Sequence, residues 1–304
     1  MPARAAITEQ ENPTSASLDA RSLPEILRII NGEDRKIAAA VRKVLPEIAM
    51  AAEWIVEALA GGGRLVYLGA GTSGRLGVLD AVECIPTFGT HQVIGILAGG
   101  SKAMFKSVER VEDDTKLAAA DLRRINFSQR DVLVAIAASG RTPYTLAGLR
   151  YARRLGARAI ALTSNPSAPM NRAADLAIVP ITGPEVLTGS TRMKAGTAQK
   201  LVLNMLSTAT MVRLGRVFSN RMINVQTHNA KLRKRAVGIL VETTGESVAR
   251  ATKALHQAEG QLPVAMLMLL KGASKNEAQR LLRNGANLAE IVRQARAGSA
   301  PRRC

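Results

Sequence analysis

Short apolar runs recur through the middle of the chain, at Leu65–Leu68, Val93–Leu97, Val132–Ala137, Ala159–Leu162 and Leu176–Ile181. Each is followed by Gly, Ser or Pro and then, in most cases, by a stretch with helical spacing. Near-continuous apolar strands alternating with helices predict a parallel sheet covered on both faces. The expected fold is therefore α/β, a five-stranded doubly wound parallel sheet over residues 55–218, with ligands at the carboxyl ends of the strands. A long helix over Ser190–Val217 is predicted to close it.

The flanks have other patterns. Residues 1–20 are polar and predict an extended arm. Two helices follow: Ser22 can cap the first, Asn31-Gly32 is expected to end it, and Gly61-Gly62-Gly63 to stop the second. After Asn220 the strand signals cease, and three helical patterns broken by Gly and Pro over 240–298 predict a small helical module. The division that results is an N-terminal arm with helices at 1–54, a sheet domain at 55–218 and a C-terminal helical module at 219–304.

Composition narrows the function classes. The 304 residues are 47% hydrophobic, enough for a sizeable core. No apolar run approaches the ~20 residues that cross a bilayer, and the N-terminus lacks the apolar region of a secretory signal, so a cytoplasmic address without membrane attachment is expected. Cys84 and Cys304 are far apart, which suits reduced thiols. The three histidines, His91, His228 and His256, show no metal-site spacing, so no metal is expected. The net charge of +18 raises the question of nucleic acid. The basic residues are spread along the chain, with local clusters such as 231–235 and 301–304, and one Trp, three Tyr and four Phe supply little base stacking. A solvated basic surface, which also suits small anionic substrates, is the better expectation.

Two turns carry the candidate chemistry. Gly69-Ala70-Gly71-Thr72-Ser73-Gly74-Arg75 and Ala138-Ser139-Gly140-Arg141-Thr142-Pro143 each place Gly, Ser and Thr where a strand hands over to a helix. Hydroxyls, backbone N–H groups and the helix dipole can converge there on an anion. A dinucleotide fingerprint fits poorly, because the loop carries hydroxyls and the acid expected ~20 residues later is missing. A Walker loop is excluded by the absence of a Lys-Ser/Thr pair after the glycines. Thr72, Ser73, Ser139 and Thr142, with the N–H groups of Gly74 and Gly140, are the candidate phosphate ligands; Arg75 and Arg141 are further candidates. A tight structural turn is the competing account of either loop alone, and two on one sheet weaken it. The hydroxyls of 188–191 either cap the helix that follows or touch a ligand.

GAGTSGR and ASGRTP resemble the paired phosphate-binding turns of the sugar isomerase (SIS) domain, and GPEVLTGSTRMKAGTAQK (183–200) resembles its third ligand-facing stretch. LGAGTSGRLGVLDAVECIPTFG, IAASGRTPY and TGSTRMKAGTAQKLVLNML, with ITE..NP.S..LD and IIN.ED near the start, are together similar to the N-acetylmuramic acid 6-phosphate etherases over nearly the whole chain. The resemblance implies a cofactor-free lyase that removes D-lactate from the sugar's 3-position during peptidoglycan recycling. It also implies a homodimer, with Glu83 as proton donor and Glu112 as base. Glu185, Ser190 and Lys194 become candidate sugar contacts.

Glu83 falls near the end of the helix begun by the first turn, where the negative helix end and an apolar neighbourhood would favour the protonated acid. Along a straight helix, however, Ser73 and Glu83 are ~15 Å apart, farther than a sugar 6-phosphate reaches to its C3. Either the chain turns back near Cys84 and Pro86 or a second subunit contributes. Glu112 lies in a run of acids, and the chain departs from the family there: Arg110-Val111 replaces a glycine and a small residue, which leaves Glu109 as an alternative base. His228 stands where the family has a threonine and reads as peripheral. A sugar-phosphate sensor would keep the turns without needing Glu83 and Glu112, and an aldose–ketose isomerase would need a base but no acid at C3.

Overall fold

The computed structural model describes residues 6–108, 110–224, 230–283, 288, 290 and 291. They form two compact units. One comprises the chain through Val82 together with Gln92–Thr210; the other comprises Glu83–His91 and the chain from Met211 onward.

The first unit is built on a parallel sheet of β1 (Leu65–Gly69), β2 (Val93–Leu97), β3 (Val132–Ile136), β4 (Arg158–Leu162) and β5 (Leu176–Ile178), in the order β2-β1-β3-β4-β5. Every residue of β1 and β3 is buried. Leu65, Leu68, Leu133, Ile136, Ile160 and Leu162 are almost wholly removed from solvent, each contributing roughly 1.5–3 kcal/mol relative to exposure. This is why the strands read as unbroken apolar runs. β5 stops at Ile178, short of the expected Ile181.

The helices are α1 (Leu23–Arg42), α2 (Leu45–Ala60), α3 (Gly71–Phe88), α4 (Lys102–Phe105), α5 (Thr115–Arg124), α6 (Pro143–Arg154), α7 (Pro169–Ala173) and α8 (Lys194–Arg213). Glu25 reaches back to the Ser22 backbone N–H at 2.9 Å, closing the start of α1 as expected. The predicted break at Asn31-Gly32 does not occur: α1 runs through it to Arg42. A glycine inside a helix costs only ~1 kcal/mol, and the next residue, Glu33, is anchored by long-range bonds described below.

The expected extended arm is also different. Its described part folds into 3-10 turns at Ile7–Glu9, Pro13–Ser15 and Leu18–Ala20. Asn12 Nδ2 donates to the Pro184 carbonyl (3.1 Å) and Thr14 Oγ1 to Glu33 (3.0 Å), holding the segment against its own unit. α3 continues through Pro86 to Phe88 without turning back at Cys84, which is buried as a thiol.

In the second unit, a two-stranded antiparallel ribbon, β6 (Val217–Phe218) with β7 (Arg221–Met222), precedes α9 (Ala230–Thr244), α10 (Val248–Gln257), α11 (Leu262–Lys271) and α12 (Lys275–Arg283). Leu240, Ala251, Leu262, Ala265, Met266 and Leu267 centre its core. Gly245, at φ 75°, lies between α9 and α10. No described helix is long and apolar enough to cross a membrane.

Candidate functional site

Strand order places the site. From β1 the chain goes out to β2 on one side and returns to β3 on the other, so the turns after β1 and β3 diverge at the topological switch point of the sheet. Gly69 stands opposite Ile136 in the register. The two hydroxyl-bearing turns therefore start from neighbouring strands, about 4.8 Å apart.

In the first turn the backbone of α3 presses on the end of β1. A Cβ on Gly74 would lie 2.4 Å from the Gly69 carbonyl oxygen, which excludes any side chain there. α3 begins at Gly71, so the N–H groups of Thr72 and Ser73 have no acceptor four residues back within the helix, the usual situation at an anion-binding N-terminus. Both side chains are half-buried. The Gly74 N–H, expected to serve a ligand, is instead committed to the Ala70 carbonyl at 3.1 Å. Arg75 turns away as well, donating to the carbonyls of Ala103 (2.9 Å), Met104 (3.3 Å) and Lys106 (3.3 Å) and fixing that segment beside the turn.

The second turn repeats the pattern with different bracing. Gly140 adopts φ +62° and donates its N–H to the Ala137 carbonyl at 3.0 Å, so it too shapes the turn and does not offer a free amide. Ser139 and Thr142 are half-buried, and Arg141 is exposed. The turn after β4 supports this one: Ser164 N–H donates to the Ala138 carbonyl (2.9 Å) and Asn165 Nδ2 to the Ser139 carbonyl (3.3 Å).

Glu112 is exposed and lies in a turn, not on a helix, just before α5. Asp114 caps α5 by accepting from the Lys116 and Leu117 N–H groups. The Glu112 carbonyl accepts the Tyr144 N–H at 3.0 Å, tying this segment to the start of α6 directly after the second turn. Tyr144 is itself fixed by donating its phenol proton to Asp121 at 2.8 Å; burial, helped by the Asp121 charge, pushes its pKa up. Arg110 sits at φ +70°, a left-handed conformation that favours glycine. The residue that departs from the family is thus held in the backbone geometry glycine would adopt freely. Glu109 and His228 lie outside the described residues.

Glu83 is exposed on α3, on the side that also leaves Leu79 and Val82 more than half exposed, at 53% and 54%. The apolar shelter expected around its carboxyl is absent from this face.

Glu185 and Lys194 are both buried and have partners within the chain. The two Glu185 oxygens accept the N–H groups of Lys194 and Ala195, each at 2.9 Å, so Glu185 caps α8 in place of the hydroxyls at 188–191. That helix starts at Lys194, and Ser190, half-buried, lies in the loop before it. Lys194 Nζ reaches Glu33 at 2.6 Å with both side chains at 3% exposure or less. Burial alone would raise the Glu33 pKa, but bonds from Lys194, Lys36, Asn12 and Thr14 outweigh it and hold the carboxyl down to about 2. Glu33 and Gln199, whose Oε1 accepts the Ser73 hydroxyl at 2.9 Å, are supporting residues that local sequence reading does not single out. Among the described residues no group of three or more His, Cys, Asp or Glu is placed to hold a metal ion.

Known proteins fit this arrangement. Residues 47–153 match the glucokinase regulatory protein N-terminal SIS domain. A putative phosphosugar isomerase involved in capsule formation from Bacteroides fragilis shares the fold, with TM-score 0.50 and 23% identity over 64% of this chain and 94% of that one. N-acetylmuramic acid 6-phosphate etherase from Edwardsiella ictaluri is 53% identical over 91% of this chain and 93% of its own length. Etherase 2 of Vibrio parahaemolyticus is 52% identical with the same coverage. With the switch-point turns and this identity along nearly the whole chain, the protein belongs to the N-acetylmuramic acid 6-phosphate etherase family.

Proposed function

We propose that the protein cleaves the D-lactyl ether of N-acetylmuramic acid 6-phosphate, giving N-acetylglucosamine 6-phosphate and D-lactate. The observation that carries this reading is the identity to etherases over 91% of the chain; the paired hydroxyl turns at the switch point supply the anion site it requires. Thr72, Ser73, Ser139 and Thr142 hold the 6-phosphate, and Ser190 contacts the sugar. In the open-chain sugar, C2–H is α to the C1 aldehyde. Glu112 removes that proton while Glu83 protonates the departing ether oxygen at C3. D-Lactate leaves, and water adds to C3 of the unsaturated aldehyde. Such paired acid–base assistance contributes roughly 10²–10⁴-fold per group.

Glu185 and Lys194 enter this account as supports of the α8 start. Pairing of two chains completes the site: Leu79 and Val82, beside Glu83 on α3, expose apolar side chains suited to burial against a second copy. A cytoplasmic role in peptidoglycan recycling is consistent with this substrate. The test is incubation with N-acetylmuramic acid 6-phosphate and an enzymatic assay of D-lactate. Stoichiometric release supports the reading, and no release by folded protein overturns it.

A further inference from the structure

Gln199 stands in the second turn of α8, buried at 1% exposure. Its Oε1 takes the Ser73 hydroxyl proton at 2.9 Å, while its Nε2 is buried with no hydrogen-bond partner among the described residues. Asp80 accepts from Tyr67 (3.0 Å), Asn204 (2.7 Å) and Ser207 (3.2 Å), which pins the two helices in register. Gln199 therefore faces Ser73 by construction, with one half of its amide unused.

A serine hydroxyl has a single proton. Directed at Gln199, that proton is withheld from an anion in the first turn. A half-turn of the planar amide interchanges its ends, so that Nε2–H donates to Ser73 Oγ and the hydroxyl proton is released towards the anion. The new bond is charge-assisted and roughly twice as strong as the neutral one it replaces. Nε2 gains a partner, and the carbonyl that takes its former place is the end better tolerated without one.

We propose that Gln199 is a positioning residue for phosphate capture, an amide that turns from acceptor to donor so that Ser73 donates to the 6-phosphate. The inference rests on the reading of the first turn as a phosphate cradle.

Two substitutions separate it from a packing role. Gln199→Met keeps the length and removes all hydrogen bonding; Gln199→Glu, when ionised, can only accept and so holds the Ser73 proton away from the anion. Inorganic phosphate affinity by titration calorimetry and the KM and kcat for D-lactate release are measured on each, with urea unfolding as the control for folding. Gln199→Met is expected to weaken phosphate affinity and raise KM roughly 3–10-fold with kcat within about twofold, the effect of one neutral hydrogen bond. Gln199→Glu is expected to weaken both more, by roughly 30-fold, with the deficit relative to native protein shrinking as pH falls and the carboxyl becomes a donor. Combining Gln199→Met with Ser73→Ala should cost no more than Ser73→Ala alone.

Native-like affinity and KM in folded Gln199→Met and Gln199→Glu, or full additivity with Ser73→Ala, overturns the proposal. If Ser73→Ala leaves phosphate affinity unchanged, the cradle reading itself fails. If Ser73→Ala weakens binding and the Gln199 variants do not, only the role of Gln199 falls.

Discussion

Glu33 and Glu185 are buried with both carboxylate oxygens hydrogen-bonded within the chain, whereas Glu83 and Glu112 stand exposed with no side-chain partner among the described residues. Under the proposed mechanism the difference separates architecture from chemistry. A buried carboxylate with both oxygens held by donors of its own chain braces a loop and is not presented to a ligand. An exposed carboxylate on a fixed backbone contributes little to stability and keeps its lone pairs for a substrate.

The contrast is broken or sharpened by substitution. Glu83→Gln and Glu112→Gln should each lower D-lactate release roughly 10²–10⁴-fold, at a cost in unfolding free energy of only about 0.5 kcal/mol; kinetics and urea denaturation on the same samples check both halves. Glu33→Gln should do the reverse in kind. Leaving Lys194 buried without its charge partner is expected to destabilise by roughly 3–5 kcal/mol, and replacing both as Glu33→Leu/Lys194→Met should recover much of it.

A third outcome concerns acid. The Glu33 carboxyl is held at about 2 in the folded chain against an ordinary 4.5. Its contribution is therefore fully present above the unfolded value and is lost as pH falls from about 4.5 towards 2, amounting to roughly 3 kcal/mol. Unfolding midpoints across that window should fall less steeply in Glu33→Gln than in native protein. The smallest effect is expected from Arg110→Gly, which relieves the left-handed backbone beside Glu112 and should stabilise by about 1 kcal/mol, seen as a higher urea midpoint.

Much of the fold was legible because its signals are local. β2 occupies Val93–Leu97 as the apolar run predicts, and both turns fall at the ends of β1 and β3. What escaped depends on distant partners. Lys194 was a candidate sugar contact through the resemblance of residues 183–200 to a ligand-facing stretch, yet its partner Glu33 is 161 positions away. The arm is tied to the same Glu33 through Thr14, and Glu33 stands in α1 directly after Gly32. Gly74 and Gly140 have the residue type of an anion cradle, but whether an amide is free depends on which carbonyl it meets, and each meets one in its own turn. β6 and β7, at two residues each, are too short to leave an alternating pattern. The exposure of Glu83 also depends on how far α3 continues, and Pro86 suggested an earlier end than Phe88.

The most direct test of the central claim, elimination carried by two exposed carboxylates, is the reaction run in deuterated water with N-acetylmuramic acid 6-phosphate and analysed by mass spectrometry and proton NMR. Removal of C2–H by a carboxylate and reprotonation after water addition predict one deuterium at C2 of the N-acetylglucosamine 6-phosphate. Product that retains its original proton at C2 would contradict the account.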